Sequence, residues 1–171
     1  AGTSDRVLRR RCEQKSKRTH VHLLLDLSGS MRENQHGHTR GSALWGFDRQ
    51  SRAERVAKLA ARLGHAMSIC GVAFSASAYR GRFGPQSERR AEIIELHRPG
   101  RRAADLYAAL RQYAQAGNGT TPTASAMLDA CKGLQASAAD RRVLLVLTDG
   151  APNGREAGVE QCNIVAERFA G

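Results

Sequence analysis

The stretch His20-Val21-His22-Leu23-Leu24-Leu25-Asp26-Leu27-Ser28-Gly29-Ser30 decides how this chain folds. Its apolar, partly β-branched half reads as a buried parallel strand, because an amphipathic edge strand would alternate polar and apolar residues. Asp26, Ser28 and Ser30 end that strand. They set one carboxylate and two hydroxyls at alternating positions, so the oxygens can face one way while Leu27 packs the other. Gly29 allows a tight backbone turn between them. Such a run of hard oxygen donors suits a divalent cation of the Mg²⁺ type, which prefers oxygen ligands and keeps some of its waters.

Two later segments can complete a site of this kind. Gly119-Thr120-Thr121-Pro122 leads into a helical pattern, with Pro122 suited to the first turn. Thr148-Asp149-Gly150 follows Val143 to Leu147, five consecutive aliphatic residues that read as a central strand. Each segment alone is ordinary, since Asp, Ser and Thr are common in turns and helix caps. The three together, two of them directly after strands, point to metal binding by Asp26, Ser28, Ser30, Thr121 and Asp149.

The rest of the chain alternates strands and helices. Glu54 to Met67 carries apolar residues at helical spacing, and Ser68 to Tyr79 reads as a strand. A short extended piece is expected at Ile93 to Leu96, within a basic connection. Helices are expected over Ala103 to Ala116, from Pro122 to about Gln135, and over Glu156 to Phe169. This pattern predicts an α/β fold, a Rossmann-like three-layer sandwich with a mostly parallel sheet and helices on both faces. Ligands of such sheets bind at the carboxyl ends of the strands, where Asp26 and Asp149 both fall. Residues 1–18 form a basic arm and 19–171 the domain, with an inserted loop at about 32–52.

The 171 residues hold 27 Lys plus Arg against 16 Asp plus Glu, a net charge of +11. The excess gathers in the arm (Arg6 to Arg18) and in a second region from Arg80 to Arg102. It favours an acidic partner: a protein surface or nucleic acid. Aromatics make up only 5% and do not interleave with the basic residues, so a stacking platform for single strands is unsupported. No stretch approaches the ~20 apolar residues that span a bilayer. No apolar signal-peptide core follows the basic N-terminus, so a cytoplasmic location and no membrane contact are expected. Cys12, Cys70, Cys131 and Cys162 form no CxxC pair and read as reduced, mostly buried thiols. There is no GxxxxGK[ST] phosphate loop and no GxSxG elbow.

The three oxygen-bearing segments, in this order, resemble the metal-ion-dependent adhesion site (MIDAS) of von Willebrand factor A (VWA) domains. Asp26, Ser28 and Ser30 match the first motif, Thr121 the threonine and Asp149 the final aspartate. Thr120 falls where the family has a second glycine. The resemblance covers most of residues 20 to 169 and implies that these five residues hold Mg²⁺ or Mn²⁺, some directly and some through water. An open metal position would then take a carboxylate from a partner.

The insert at 32–52, Gly71-Val72-Ala73-Phe74-Ser75 and Arg141 to Pro152 are similar to the bacterial intracellular branch: cobaltochelatase-type subunits and the activators of nitric oxide reductase and rubisco. That resemblance implies a non-enzymatic adaptor or activator subunit working with an AAA+ ATPase of the MoxR kind, and gripping an acidic residue on the ATPase or its client. Trp45 and Phe47 in the insert are candidates for partner docking, or equally for capping the domain's own core. The alternatives are a metal-dependent nuclease or hydrolase, or a basic nucleic-acid-binding protein with a structural metal. Two-metal nucleases cluster several carboxylates; here Asp26 and Asp149 alone are well placed, and Asp48 and His36 read as solvated loop residues. A complete VWA sheet carries at least one more strand and helix beyond Gly171. Either the chain is a fragment of a longer protein or its sheet is small.

Overall fold

The computed structural model describes residues 18–33, 50–81, 90–114, 119–149, 152–153 and 156–170. The basic arm up to residue 17, most of the insert, and Trp45 and Phe47 within it, lie outside the described residues. Four strands, β1 (Thr19–Asp26), β2 (Ala73–Gly81), β3 (Ala91–His97) and β4 (Arg141–Leu147), form one sheet in the order β3-β2-β1-β4. β1 is central and pairs parallel with both β2 and β4; β3 runs antiparallel to β2. The helices are α1 (Arg52–Ile69), α2 (Ala103–Ala114), α3 (Thr123–Gln135) and α4 (Glu156–Phe169). The mostly parallel three-layer α/β architecture is as the sequence predicts.

Alternation along β1 feeds both faces of the sheet. Leu23 and Leu25 point to one face and pack with Phe74, Ala76 and Ala78 of β2 against Ala57 and Ala60 of α1 and Leu106 and Leu110 of α2. Leu24 points to the other, where Tyr79 and Ala126 of α3 join it. Leu23, Leu24 and Leu25 are wholly buried, and each contributes roughly 2 kcal/mol on burial. α4 packs on α3. β1 is flanked by strands on both sides, whereas β4, read from the sequence as a central strand, is the end strand of this sheet among the described residues, with Val143 exposed; the carboxyl ends of the two present Asp26 and Asp149 at one edge.

One expected element boundary needs correction. Ser68 and Ile69 belong to α1, not to the second strand, which starts at Ala73. The helix ends in a Schellman motif: Val72 N–H donates to Met67 O (2.9 Å), Gly71 N–H donates to Ser68 O (3.2 Å), and Gly71 takes φ +67°. Ile69 is 74% exposed, so its apolar side chain marks no core strand. Cys70 beside it is exposed too; Cys131 is buried and Cys162 intermediate, and all three are free thiols. Described residues flank the insert on both sides. Arg32 closes a 3₁₀ turn over Gly29–Arg32, and Ser51 caps α1 in a capping box, with Glu54 N–H on Ser51 Oγ and Ser51 N–H on Glu54 Oε2, both at 3.1 Å.

Candidate metal centre and its loops

Three loops meet at the carboxyl edge of the sheet. The first begins at Asp26, wholly buried at the end of β1. Its carboxylate accepts from Ser28 N–H at Oδ1 (2.7 Å) and from Thr148 Oγ1 at Oδ2 (2.8 Å). The backbone bond is a local Asx-type closure that holds the Asp-x-Ser turn. The Ser28 and Ser30 hydroxyl oxygens lie 3.2 Å apart, Ser28 buried and Ser30 partly open. The alternation read from sequence therefore brings both hydroxyls to one side.

The second loop carries Thr121, buried just ahead of α3. It is laced to the first by Gly29 N–H donating to Gly119 O (3.1 Å), and to the end of β2 by Gly81 N–H donating to Thr120 O (2.8 Å). Gly119 takes φ +89°, and a Cβ there would overlap the Gly81 carbonyl oxygen. Only glycine fits so close an approach.

The third loop holds Thr148 and Asp149, beyond β4. Thr148 supplies the bond to Asp26. Asp149 faces Arg52 at the start of α1, Nη1 to Oδ2 at 3.3 Å, and the same guanidinium nitrogen donates to Ser30 O at 3.4 Å. Past the turn, Asn153 closes onto Thr121: Thr121 N–H donates to Asn153 Oδ1 (2.8 Å) and Asn153 N–H to Thr121 O (3.0 Å). A cleft of about 460 Å³ opens beside Thr121, between the first turns of α3 and α4.

Burial pushes the Asp26 carboxyl above its ordinary range, and the Asp149 charge adds to this; the Ser28 and Thr148 hydrogen bonds oppose it. Two carboxylates thus share one partly dry edge, which a nearby cation would relieve. Among the described residues no three His, Cys, Asp or Glu side chains gather as metal ligands. The donor set is hydroxyl-rich instead, which suits a hard cation and not zinc.

The five residues picked from the sequence all lie on these loops. Four others were missed: Arg52, Tyr79, Thr148 and Asn153. Tyr79 is wholly buried, with its hydroxyl 2.9 Å from Thr123 Oγ1. Arg52 and Tyr79 sit far from the motifs in sequence and left no local signal. Thr148 adjoins Asp149, and Asn153 stands in a stretch read only as a strand-ending turn.

The profile of the von Willebrand factor type A domain matches residues 20–167. The chain belongs to the VWA family. VWA domains are protein-interaction and adhesion modules and are generally non-catalytic. No curated protein sequence matches the chain. Similar solved structures include the minor pilin PilB of Streptococcus sanguinis, at 19% identity and TM-score 0.62, covering 82% of this chain and 31% of that one. The pilus adhesin SpaC of Lactobacillus rhamnosus GG is 20% identical with TM-score 0.57, covering 81% and 16%. Manganese-loaded TRAP of Plasmodium vivax is 18% identical with TM-score 0.55, covering 90% and 54%. The chain thus spans about a third or less of the two pilus proteins and about half of TRAP, and the likeness to all three is one of fold.

Proposed function

We propose that this VWA domain is a divalent-cation-dependent protein-interaction module. Asp26, Ser28, Ser30, Thr121 and Asp149 would hold Mg²⁺ or Mn²⁺. The observation that carries this reading is that Asp26 lies beside the paired Ser28 and Ser30 hydroxyls and within reach of the Asp149 charge, on loops cross-tied by Thr148, Gly119, Asn153 and Arg52. The manganese-loaded state of TRAP, a neighbour in fold, is in keeping with it. The cation supplies a site for a carboxylate from outside the domain. The chain's own residues keep the loops in register, and Arg52 balances Asp149 from the side.

The partner is proposed to be an acidic protein surface, on an AAA+ ATPase of the MoxR kind or on its client, with this domain as a non-enzymatic adaptor. The resemblance of Gly71 to Ser75 and Arg141 to Pro152 to the chelatase and activator branch supports this, as does the charge of +11. The nucleic-acid reading loses ground, because Arg80, Arg98 and Arg102 of the mid-chain basic region pair with Glu92, Glu95 and Asp105. Free thiols at Cys70, Cys131 and Cys162 fit a reducing compartment, the cytoplasm. Among the described residues no helix is long and apolar enough to cross a membrane.

Calorimetric titration of Mg²⁺ and Mn²⁺ into the protein and into Ser30→Ala tests the metal reading. Saturable binding that weakens at least tenfold in the variant is expected. A folded parent that binds neither ion would overturn it.

A further inference from the structure

We infer that Tyr79 is a positioning residue for the metal centre, whose buried phenol aligns two of its loops through a one-way chain of hydroxyls ending on Asp26. The inference rests on the metal reading above. Tyr79 lies on β2 directly opposite Asp26 in the strand register. Its hydroxyl meets Thr123 Oγ1 at 2.9 Å and lies within electrostatic reach of the Thr148 side chain and of Asp26, so a Tyr79–Thr148 link is part of the inference. Thr148 Oγ1 in turn donates to Asp26 Oδ2 at 2.8 Å.

Counting protons sets the direction of the chain. A threonine hydroxyl has one hydrogen and accepts with its lone pairs. Thr148 spends its hydrogen on the Asp26 carboxylate, so it accepts from Tyr79. The Tyr79 hydrogen is then committed to Thr148, so Tyr79 accepts from Thr123. The donors run Thr123 to Tyr79 to Thr148 to Asp26, with each hydroxyl polarised by the carboxylate at the end. Thr123 is two residues after Thr121, and Thr148 is the residue before Asp149. One phenol therefore ties the Thr121 loop and the Asp149 loop to Asp26, and it does so where Thr123, Tyr79 and Asp26 are all buried.

A Phe at position 79 would pack the apolar face equally well, beside Leu24 and Ala126. The hydroxyl earns its burial only through these partners, since an unpaired phenol there would be destabilising.

The test is Mn²⁺ binding, read from the free-ion electron paramagnetic resonance signal, for the parent, Tyr79→Phe, Thr123→Val and the double variant, with metal-free melting curves alongside. Tyr79→Phe is expected to raise the Mn²⁺ dissociation constant about fivefold, the effect of one lost hydrogen bond. Thr123→Val should act in the same direction, and the double variant should be no worse than Tyr79→Phe alone. A packing role would lower the metal-free melting temperature and leave the dissociation constant unchanged; that result in Tyr79→Phe, or additive losses in the double variant, would overturn the inference. Should Tyr79→Phe not fold, an unchanged Mn²⁺ affinity in Thr123→Val overturns it equally. A parent that binds no Mn²⁺ removes the metal reading and this inference together, whereas a parent that binds with unaffected variants removes this inference alone.

Discussion

Arg52 and Asp149, 97 positions apart, meet at 3.3 Å across the mouth of the three loops. Arg52 is the first residue of α1, so the Ser51–Glu54 capping box that starts the helix also aims this guanidinium. The same side chain reaches Ser30 O at 3.4 Å and Glu33 Oε2 at 3.9 Å. It is an internal counter-charge placed where two carboxylates would attract a metal ion.

Removing that charge should favour the metal. Arg52→Gln is expected to tighten Mn²⁺ binding by a few-fold at low salt, because a half-exposed ion pair is worth about 1 kcal/mol or less. The gain should shrink at 1 M salt, where the Debye length is ~3 Å. Weaker binding in the variant at both salt concentrations would mean that Arg52 serves chiefly to orient Asp149.

Acid should weaken the fold through His22. On the α3 side of the sheet, Ser75 Oγ lies 2.8 Å from His20 Nε2 and 2.7 Å from His22 Nδ1, and His22 Nε2 lies 2.8 Å from Ser77 Oγ. Burial, with the neighbouring His20, pushes His22 down to about 4. An unfolded imidazole titrates near 6.5, so between about pH 6.5 and 4 the unfolded chain takes up a proton that the fold refuses. Stability is then full above about pH 6.5 and falls toward pH 4, by up to about 3 kcal/mol from this residue. Asp26, raised by burial, works in the opposite sense above the ordinary carboxylate range. Urea unfolding across this interval should show a shallower slope in His22→Gln than in the parent; equal slopes would refute the assignment.

Gly119→Ala should cost about 2 kcal/mol, the strain of a side chain in a left-handed conformation. The Cβ would also press on Gly81 O, which accepts from Thr120 N–H. The loss should appear as a lower urea midpoint with an unchanged slope. Gly133→Ala, in α3 with open space around it, serves as the control and should not destabilise. Equal effects at the two positions would show that the Gly119 contact has no special weight.

What could be read in advance follows the reach of the interactions involved. β1, β4 and α4 have sharp limits because apolar runs end in Asp, Gly or Pro. The Asp26–Ser30 turn was legible because its closing bond spans two residues. Ile69, by contrast, looks like strand in a linear reading, yet the Schellman bonds of Gly71 and Val72 keep it on the helix. The Ile93–Leu96 piece was visible as extended, but its antiparallel pairing to β2 is set by the connection and not by composition. Thr148 on Asp26 spans 122 positions and Tyr79 on Thr123 spans 44. Such contacts exist only once the sheet has brought the strand ends together.

Asn153 makes the last prediction. Its Oδ1 is the acceptor for Thr121 N–H, while its own backbone N–H donates to Thr121 O. Asn153→Ala keeps the second bond and removes the first, leaving the amide of a buried residue unpaired. That should lower stability by about 1 to 2 kcal/mol. It should also free Thr121 from its fixed position and weaken Mn²⁺ binding several-fold, because the variant must order the loop at the moment of binding. The two effects separate experimentally. A variant that is destabilised but binds Mn²⁺ as the parent does would assign Asn153 to the fold alone, and would count against Thr121 as a ligand. Loss in both measurements, with binding regained as temperature is lowered, would tie the Thr121 loop to the metal.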